Sequence, residues 1–97
     1  MRSWRYSQAA SEDLDVIIER GILLFGVAQA NDYVERISRM AQTLTTFPFL
    51  GQAYGTRSGR ELRRYPVGRD IIFYHVSDDE ILVVRILDQA MDFDRHL

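Results

Sequence analysis

Arginine is the residue type whose spacing in this chain could do chemistry. All twelve basic residues are arginine. Residues 57–69 hold five of them against the single carboxylate of Glu61: Arg57, Arg60, Arg63, Arg64 and Arg69. A planar guanidinium donates paired hydrogen bonds to a phosphate or a carboxylate. The cluster therefore predicts contact with phosphate groups or with an acidic partner segment. The alternative is a solvated edge strand whose charges prevent aggregation.

Other groups that carry chemistry are sparse. His75 lies within an apolar run and His96 is the penultimate residue, and neither has a metal ligand at a suitable spacing. The chain has no cysteine, so it forms neither a disulfide nor a thiolate metal site. Phosphate-loop, dinucleotide-binding, nucleophile-elbow and zinc-protease motifs are absent from the sequence. We expect His75 to be a core or cross-strand residue, and we expect no metal and no cofactor.

Length and composition indicate one small domain. A chain of 97 residues, with 46% hydrophobic and 27% charged residues, is typical of a single folded domain, residues 1–97. The longest apolar run, Ile22–Phe25, is far shorter than the roughly 20 residues that span a membrane. The first residues lack the apolar core of a signal peptide. We therefore expect a cytoplasmic protein without membrane contact. The net charge of −2 favours a protein partner over direct, sequence-specific DNA binding.

Two amphipathic helices must hold the arginine region in place. Apolar residues at spacings of three and four predict a helix over residues 8–25, with Ser7 as its N-cap. Its predicted polar face carries Glu12, Asp13, Glu19 and Arg20. A second apolar stripe runs from Ala30 to Leu44, and Phe47–Pro48 ends that helix. Gly26 is the expected C-cap between them, so the helices form an antiparallel hairpin.

The strands are expected on either side of this hairpin. Ser3–Tyr6 alternates in polarity and predicts a first strand. Residues 49–59 are predicted to be a loop, fixed at its apolar start and mobile over Gln52–Ser58. Three further strands are predicted, with Pro66 marking an edge or a bulge: Glu61–Val67, Arg69–Val76 and Ile81–Leu87. The order β-α-α-β-β-β predicts a two-layer α+β domain, a helical hairpin on a small antiparallel sheet.

The acidic turn Ser77–Glu80 sets the expected register of the last two strands. Pairing its two ends places His75 opposite Leu82 and Tyr74 opposite Val83. The same register sets Phe73 opposite Val84, Ile71 opposite Ile86 and Arg69 opposite Asp88. In this arrangement four residues are expected to face the helices: Ile71, Phe73, Val84 and Ile86.

The segment from Arg63 to Asp92 also carries a run of familiar motifs. They are Tyr65–Arg69, Ile72–Tyr74, Val84–Leu87 and Met91–Asp92, preceded by Ser7, Ala10, Asp13–Leu14, Ile17, Leu44 and Phe47–Gly51. On these residues the whole chain resembles the ParE branch of the RelE/ParE toxin superfamily. The resemblance implies a toxin of a bacterial type II toxin-antitoxin system, of the kind linked to plasmid stabilisation. A ParD-like antitoxin with a ribbon-helix-helix domain would neutralise it in a hetero-oligomer.

The resemblance leaves two targets open, because the two branches of the superfamily act on different ones. Members similar to ParE bind and inhibit DNA gyrase, whereas members similar to RelE cleave mRNA on the ribosome. Of the RelE-type catalytic residues only Arg69 is matched, with His96 as the remaining candidate acid, and Ala90–Asp92 stands where a second arginine is expected. The resemblance therefore implies a non-enzymatic binding toxin. The alternatives are a ribosome-dependent mRNA endonuclease and a non-toxic relative that survives as a binding module.

Five arginines are the expected partner-binding residues: Arg60, Arg63, Arg64, Arg69 and Arg85. We expect the antitoxin tail to lie across the sheet and the helical hairpin as an amphipathic segment. Its carboxylates would meet Arg60, Arg63 and Arg64. A double charge reversal of Arg63 and Arg64 is then expected to weaken antitoxin binding.

Overall fold

A helical hairpin covers one face of a five-stranded sheet. The computed structural model describes residues 2–97, with these elements: β1 Ser3–Tyr6, α1 Gln8–Phe25, α2 Val27–Thr46, β2 Gln52–Arg57, β3 Arg60–Val67, β4 Asp70–Val76, β5 Glu80–Asp88 and a short 3-10 turn, Phe93–Arg95. The strand order is β1-β5-β4-β3-β2. The two-layer α+β prediction is confirmed. The sheet has one more strand than expected and is mixed, because β1 runs parallel to β5.

The helical hairpin begins and ends where the sequence predicts. The Ser7 hydroxyl accepts a hydrogen bond from the Ala10 amide at 3.0 Å, which caps α1. Gly26 has φ +91°, and its amide donates to the Ile22 carbonyl at 3.0 Å. A positive φ there is favourable only for glycine. No helix within residues 2–97 is long and apolar enough to cross a membrane.

Apolar side chains fill both faces of the sheet. The larger cluster lies under the helices and contains Ala10, Ile17, Ile37, Ala41, Leu44, Val67, Ile72, Tyr74, Ile81, Val83 and Ile86. A smaller cluster on the other face joins Ile71, Phe73 and Leu87 to Tyr54, Phe93 and Leu97. The C-terminal segment therefore packs on the sheet opposite the helical layer. Both faces of β4 are buried in consequence.

The predicted register of β4 and β5 holds only near their turn. Tyr74 pairs with Val83, as expected, but Phe73 pairs with Arg85 and Ile71 with Leu87. The predicted pairings with Val84 and Ile86 are therefore wrong. The helix-facing prediction was also wrong for Ile71 and Phe73, which lie on the opposite face. A β-bulge that inserts one extra residue into β5 causes the changed pairing and exchanges the faces of β5 beyond it. The error for Ile71 and Phe73 has another cause: β4 is apolar on both faces, and Ile72 and Tyr74 are its residues under the helices.

The start of α1 lies against this bulge. β1 ends at Tyr6, which pairs with Val83. Beyond that point the Ser7 hydroxyl donates to the Val84 carbonyl at 2.7 Å, and the Asp13 carboxylate accepts from the Ile86 amide at 2.9 Å. These side chains supply hydrogen bonds that a neighbouring strand would otherwise supply. The bulge is thus bonded to the first turns of α1.

The prediction of a mobile loop over Gln52–Ser58 was wrong for most of these residues. Gln52–Arg57 is strand β2, which pairs antiparallel with β3. The start of the segment is fixed by hydrogen bonds of its backbone and not by its apolar side chains, because Phe49 and Leu50 are exposed. The Tyr74 hydroxyl donates to the Pro48 carbonyl at 2.8 Å and accepts from the Gly51 amide at 2.9 Å. A Cβ at Gly51 would lie 2.5 Å from that hydroxyl oxygen, so glycine is needed for this approach.

Candidate functional site

Three arginines lie on the hairpin of β2 and β3 at the edge of the sheet: Arg57 and Arg64 meet over one aromatic ring, and Arg60 lies at the turn. Arg60 is exposed and pairs across the turn with Arg57. The guanidinium carbons of Arg57 and Arg64 each lie 5.5 Å from the centre of the Tyr54 ring. Arg57 also donates to Asp94 at 2.6 Å, and Arg64 donates to the Gln52 amide oxygen at 3.3 Å. We call Arg57, Arg60 and Arg64 the basic corner.

Arg63 faces away from the basic corner. Its Nε donates to the Gly51 carbonyl at 2.8 Å, and its Nη2 donates to the Phe49 carbonyl at 3.4 Å. The guanidinium also lies over the Phe49 ring, 5.3 Å from its centre. Alternation along β3 puts Arg63 and Arg64 on opposite faces, as the sequence predicts. Arg63 therefore fixes the connection between α2 and β2. Its Nε and Nη2 donors are bonded within the chain.

Arg85 is also engaged within the chain. Its Nε and Nη2 each donate to the Asp13 carboxylate at 2.8 Å, and its Nη1 donates to the His96 carbonyl at 2.7 Å. The hydrogen bonds to Asp13 raise the pKa of Arg85. Asp13 was predicted on the solvated face of α1, but it is half-buried against the sheet. This bidentate pair joins residues 72 positions apart, and no local sequence signal marks it.

A buried carboxylate was also missed. The side chain of Asp70 is 1% exposed and accepts from Arg20 at 2.9 Å and from the Tyr33 hydroxyl at 2.6 Å. The same hydroxyl lies 2.7 Å from the Val67 carbonyl, so its one proton serves two acceptors. Burial and the Asp70 carboxylate raise the pKa of Tyr33. Arg20, predicted on the polar face of α1, is therefore paired with a buried carboxylate. The one feature of the sequence that could have indicated this pair is an aspartate, Asp70, next to the apolar residues of β4.

Arg69 lies at the turn between β3 and β4, and 54% of its side chain is exposed. Its Nε and Nη2 donate to Asp88 at 3.0 and 2.9 Å. The register sets Asp70, and not Arg69, opposite Asp88, which corrects the predicted pairing, although the side chains meet. The Ala90 amide, 2.9 Å from Asp88, and the Arg69 charge lower the pKa of Asp88.

The two residues required by an RNA-cleaving mechanism have separate partners. Arg69 binds Asp88, while His96 follows the 3-10 turn and its backbone carbonyl accepts from Arg85. Among the hydrogen bonds of residues 2–97, none joins Arg69 to His96. His75 is a half-buried cross-strand residue, as predicted, with Nδ1 2.8 Å from the Glu61 carbonyl oxygen on β3. The arrangement can bind anionic groups at the basic corner and at Arg69.

Comparison with solved structures identifies proteins of the same architecture. The chromosomal ParDE toxin-antitoxin system from P. aeruginosa contains a chain that superposes with a TM-score of 0.74 at 22% identity. The match covers 91% of this chain and 96% of that one. YafQ from E. coli superposes with a TM-score of 0.59 at 18% identity, covering 93% of this chain and 96% of that one. At these identities the matches establish the shared fold.

Sequence comparison establishes the family. The family model described as "ParE toxin of type II toxin-antitoxin system, parDE" matches residues 4–93. Toxin ParE1 of Mycobacterium tuberculosis is 32% identical over 93 residues, which cover 94% of this chain and 93% of that protein. The resemblance drawn from the sequence motifs is confirmed. The chain belongs to the ParE toxin family of type II toxin-antitoxin systems.

Proposed function

We propose that this chain is a toxin that acts in the cytoplasm by binding and inhibiting DNA gyrase, and that a ParD-like antitoxin neutralises it in a hetero-oligomer. The family model over residues 4–93 supports the toxin assignment. The similarity to a chain of a ParDE system supports an antitoxin partner. Gyrase is the target that the ParE branch implies.

The observation that carries the binding mechanism is the basic corner. Within residues 2–97, no salt bridge or side-chain hydrogen bond engages Arg60, and Arg64 contacts only the neutral groups of Gln52 and Tyr54. Two guanidinium groups are thus available to carboxylates from outside the chain. Charge-assisted, bidentate hydrogen bonds are the strong interactions that such groups make. An acidic antitoxin segment that crosses β2 and β3 would meet both.

The five arginines predicted to bind a partner divide into two sets. We assign direct partner contact to Arg60 and Arg69, which are exposed, and to the half-buried Arg64, whose guanidinium has only neutral partners within residues 2–97. Arg63 and Arg85 donate to carbonyl and carboxylate groups of the chain itself. They support the proposed surface by fixing the segments behind it. A double reversal of Arg63 and Arg64 would therefore confound folding with binding, and a double reversal of Arg60 and Arg64 is the cleaner test.

The geometry favours binding over RNA cleavage. Cleavage requires a general acid or base and positive charge at one scissile phosphate. Arg69 lies at the β3–β4 turn and His96 follows the 3-10 turn, and no hydrogen bond among residues 2–97 joins the two. A nuclease would need both groups to meet at a single phosphate. A binding toxin makes no such demand on these residues.

The test separates the three readings with purified protein. DNA supercoiling by gyrase is measured with the wild-type chain, and mRNA integrity is mapped by primer extension in a translating extract. We expect inhibited supercoiling, intact message and recovery when the antitoxin is added. Cleaved message with normal supercoiling would identify the RelE-type endonuclease instead. Normal supercoiling and intact message, with antitoxin binding retained, would identify a non-toxic binding module.

A further inference from the structure

Groups from three parts of the fold converge on the side chain of Asp88. The Nε and Nη2 of Arg69, at the β3–β4 turn, lie 3.0 and 2.9 Å from its Oδ2, and the Nη1 of Arg20, on α1, lies 3.6 Å from the same oxygen. The backbone amide of Ala90, after β5, donates to its Oδ1 at 2.9 Å. Guanidinium groups and backbone amides are the donors that bind phosphate oxygens in proteins. The Asp88 carboxylate therefore occupies a place that is suited to an oxyanion.

The groups around Asp88 are held in place by other residues. Arg20 donates through its Nη2 to the buried carboxylate of Asp70 at 2.9 Å. Gln89 fixes the β3–β4 turn, because its backbone amide and its side-chain amide each donate to a carbonyl of the turn at 3.0 Å. None of these bonds uses the Asp88 side chain. We therefore expect the surrounding donors to stay in position when that side chain is shortened.

The helical layer fixes the other side of the turn. Gly68 has φ +58°, and a Cβ added to it would lie 2.7 Å from the Cε1 of Tyr33 on α2. The Tyr33 hydroxyl also lies 2.7 Å from the Val67 carbonyl, immediately before the turn. The turn is thus packed from one side by α2 and bonded from the other by Gln89. A binding group presented by such a turn is preorganised, because little order has to be imposed on the backbone when a ligand binds.

The charges of this cluster balance only while Asp88 is ionised. Asp70 and Asp88 alternate with Arg20 and Arg69, so each carboxylate lies against a guanidinium. The Ala90 amide and the Arg69 charge lower the pKa of Asp88, which keeps its carboxylate ionised at neutral pH. An incoming phosphate would meet this negative charge and would find the Nε–Nη2 edge of Arg69 already bonded. Without the Asp88 carboxylate, the cluster would be positive and that edge would be vacant.

The cluster is open to solvent. The side chain of Arg69 is 54% exposed and that of Asp88 is 19% exposed. Arg20 and Arg69 both line a groove of about 460 Å³, which has room for a phosphate group. Within residues 2–97 the Nη1 of Arg69 makes no hydrogen bond, so a carboxylate of a partner protein can still meet the outer edge of this guanidinium. Only the Nε–Nη2 edge is covered.

We propose that Asp88 is a specificity-determining residue that closes an oxyanion site at the β3–β4 turn and keeps phosphate groups from the Nε–Nη2 edge of Arg69. The ligand excluded in this way is a phosphate, either as the free ion or in the backbone of RNA. The inference goes beyond the proposed function, because it concerns a class of ligand that the chain rejects. It also gives a physical reason why Arg69 serves contact with a protein and not chemistry on a phosphate.

The test is a titration of inorganic phosphate into isotope-labelled protein at constant ionic strength. The NMR signals of the Ala90 amide and of the Arg69 Nε–H group report binding at the site. We expect Asp88→Ala, which removes the carboxylate and vacates its place, to bind phosphate at least about tenfold more tightly than the wild type. Asp88→Asn removes the charge but keeps the shape, so it should show a smaller gain. Urea unfolding establishes that both variants fold.

Two controls locate the gain. Asp15→Ala changes the net charge equally at an exposed position of α1 and should leave phosphate affinity within about twofold of the wild type. Arg69→Gln added to Asp88→Ala should abolish the gain, because the bidentate edge is lost. A short single-stranded oligoribonucleotide, titrated in the same way, distinguishes the two sources of phosphate. A gain for both ligands shows that Asp88 excludes RNA, and a gain for inorganic phosphate alone limits the exclusion to the free ion.

Three results would overturn the inference. They are wild-type phosphate affinity in a folded Asp88→Ala variant, a gain that persists after Arg69→Gln, and an equal gain in Asp15→Ala. If Asp88→Ala does not fold, the absence of any gain in Asp88→Asn overturns it instead. Neither titration uses gyrase or the antitoxin. Failure here therefore leaves the proposed function standing, and a chain that neither inhibits gyrase nor binds the antitoxin would overturn the proposed function alone.

Discussion

Two groups of arginines in this chain differ in what surrounds them. Arg20 and Arg85 lie between the helices and the sheet, 24% and 22% exposed, each bonded to a carboxylate of another element. Arg60 and Arg64, at the basic corner, have no carboxylate partner among residues 2–97. The same residue type therefore serves the fold in one place and is available to a partner in another. The position of the carboxylates decides between the two roles.

This difference has an energetic consequence. Burying a charged group costs its hydration, and the opposite charge of its partner offsets that cost. The loss of either member of a buried pair therefore leaves an uncompensated buried charge, which destabilises the fold. An exposed arginine remains hydrated after any change nearby. Substitutions in the first group should therefore reduce stability, and substitutions in the second should reduce binding alone.

The largest effect is expected for Arg20→Ala. It leaves the buried Asp70 carboxylate with the Tyr33 hydroxyl as its remaining side-chain partner. We expect a loss of about 3 kcal/mol in the free energy of unfolding, measured by urea denaturation. Arg95→Ala, at an exposed position, is the control and should stay within about 0.5 kcal/mol. A loss below about 1 kcal/mol for Arg20→Ala would show that this pair does not hold the helices to the sheet.

The second effect concerns Asp13→Ala. This change removes both acceptors of the Arg85 fork and leaves the Ile86 amide at the bulge without its partner. We expect a loss of about 2 kcal/mol in the free energy of unfolding. Asp15→Ala, an exposed position on the same helix, is the matched control. Equal stability of the two variants would contradict the role of Asp13.

Neighbouring arginines give a sharper comparison. Arg63→Ala removes the donors to the Gly51 and Phe49 carbonyls, so it should reduce the free energy of unfolding by about 1 kcal/mol. Arg64→Ala removes a contact with neutral side chains and should change it by less than about 0.5 kcal/mol. Antitoxin affinity should respond in the opposite order. If both variants behave alike in both measurements, the division between the two groups fails.

The smallest expected effect is the acid dependence contributed by Asp88. Its pKa is lowered in the folded state by the Ala90 amide and by Arg69, so its stabilising effect is present above the ordinary carboxyl pKa. That contribution is lost as the pH falls through the lower, folded-state pKa. Between pH 6 and pH 3, Asp88→Asn should lose less stability than the wild type, by under about 1 kcal/mol. Identical pH profiles in urea denaturation would contradict this contribution.

The sequence predicted the features that depend on local chemistry. The period of the apolar stripes, the Ser7 cap and the Gly26 turn are each contained in a few residues, and both helices lie where expected. Strand β2 was missed because QAYGTR lacks alternation and carries Gly55 at φ +108°. It is a strand through its pairing with β3, which a local pattern does not report.

The register of β4 and β5 and the pairing of the arginines also depend on distant residues, which a local sequence pattern does not report. The acidic turn correctly predicted the pairing of Tyr74 with Val83, but the bulge that follows is bonded to Ser7 and Asp13, more than seventy positions away. The arginine cluster was visible in the sequence. Which of its members were already paired depended on groups brought in by other elements, so Arg85 and Arg63 could not be separated from Arg60 and Arg64 beforehand.

The most direct test of this account is calorimetric titration of the antitoxin into the variant that carries Arg60→Glu and Arg64→Glu. Urea unfolding runs in parallel, and the charge-matched control carries Arg36→Glu and Arg95→Glu, at two exposed arginines that have no carboxylate partner within residues 2–97. We expect a Kd raised about tenfold or more with an unchanged urea midpoint, and a control close to the wild type. A wild-type Kd in the Arg60, Arg64 variant would contradict the central claim that these two arginines, which have no carboxylate partner within residues 2–97, bind the antitoxin.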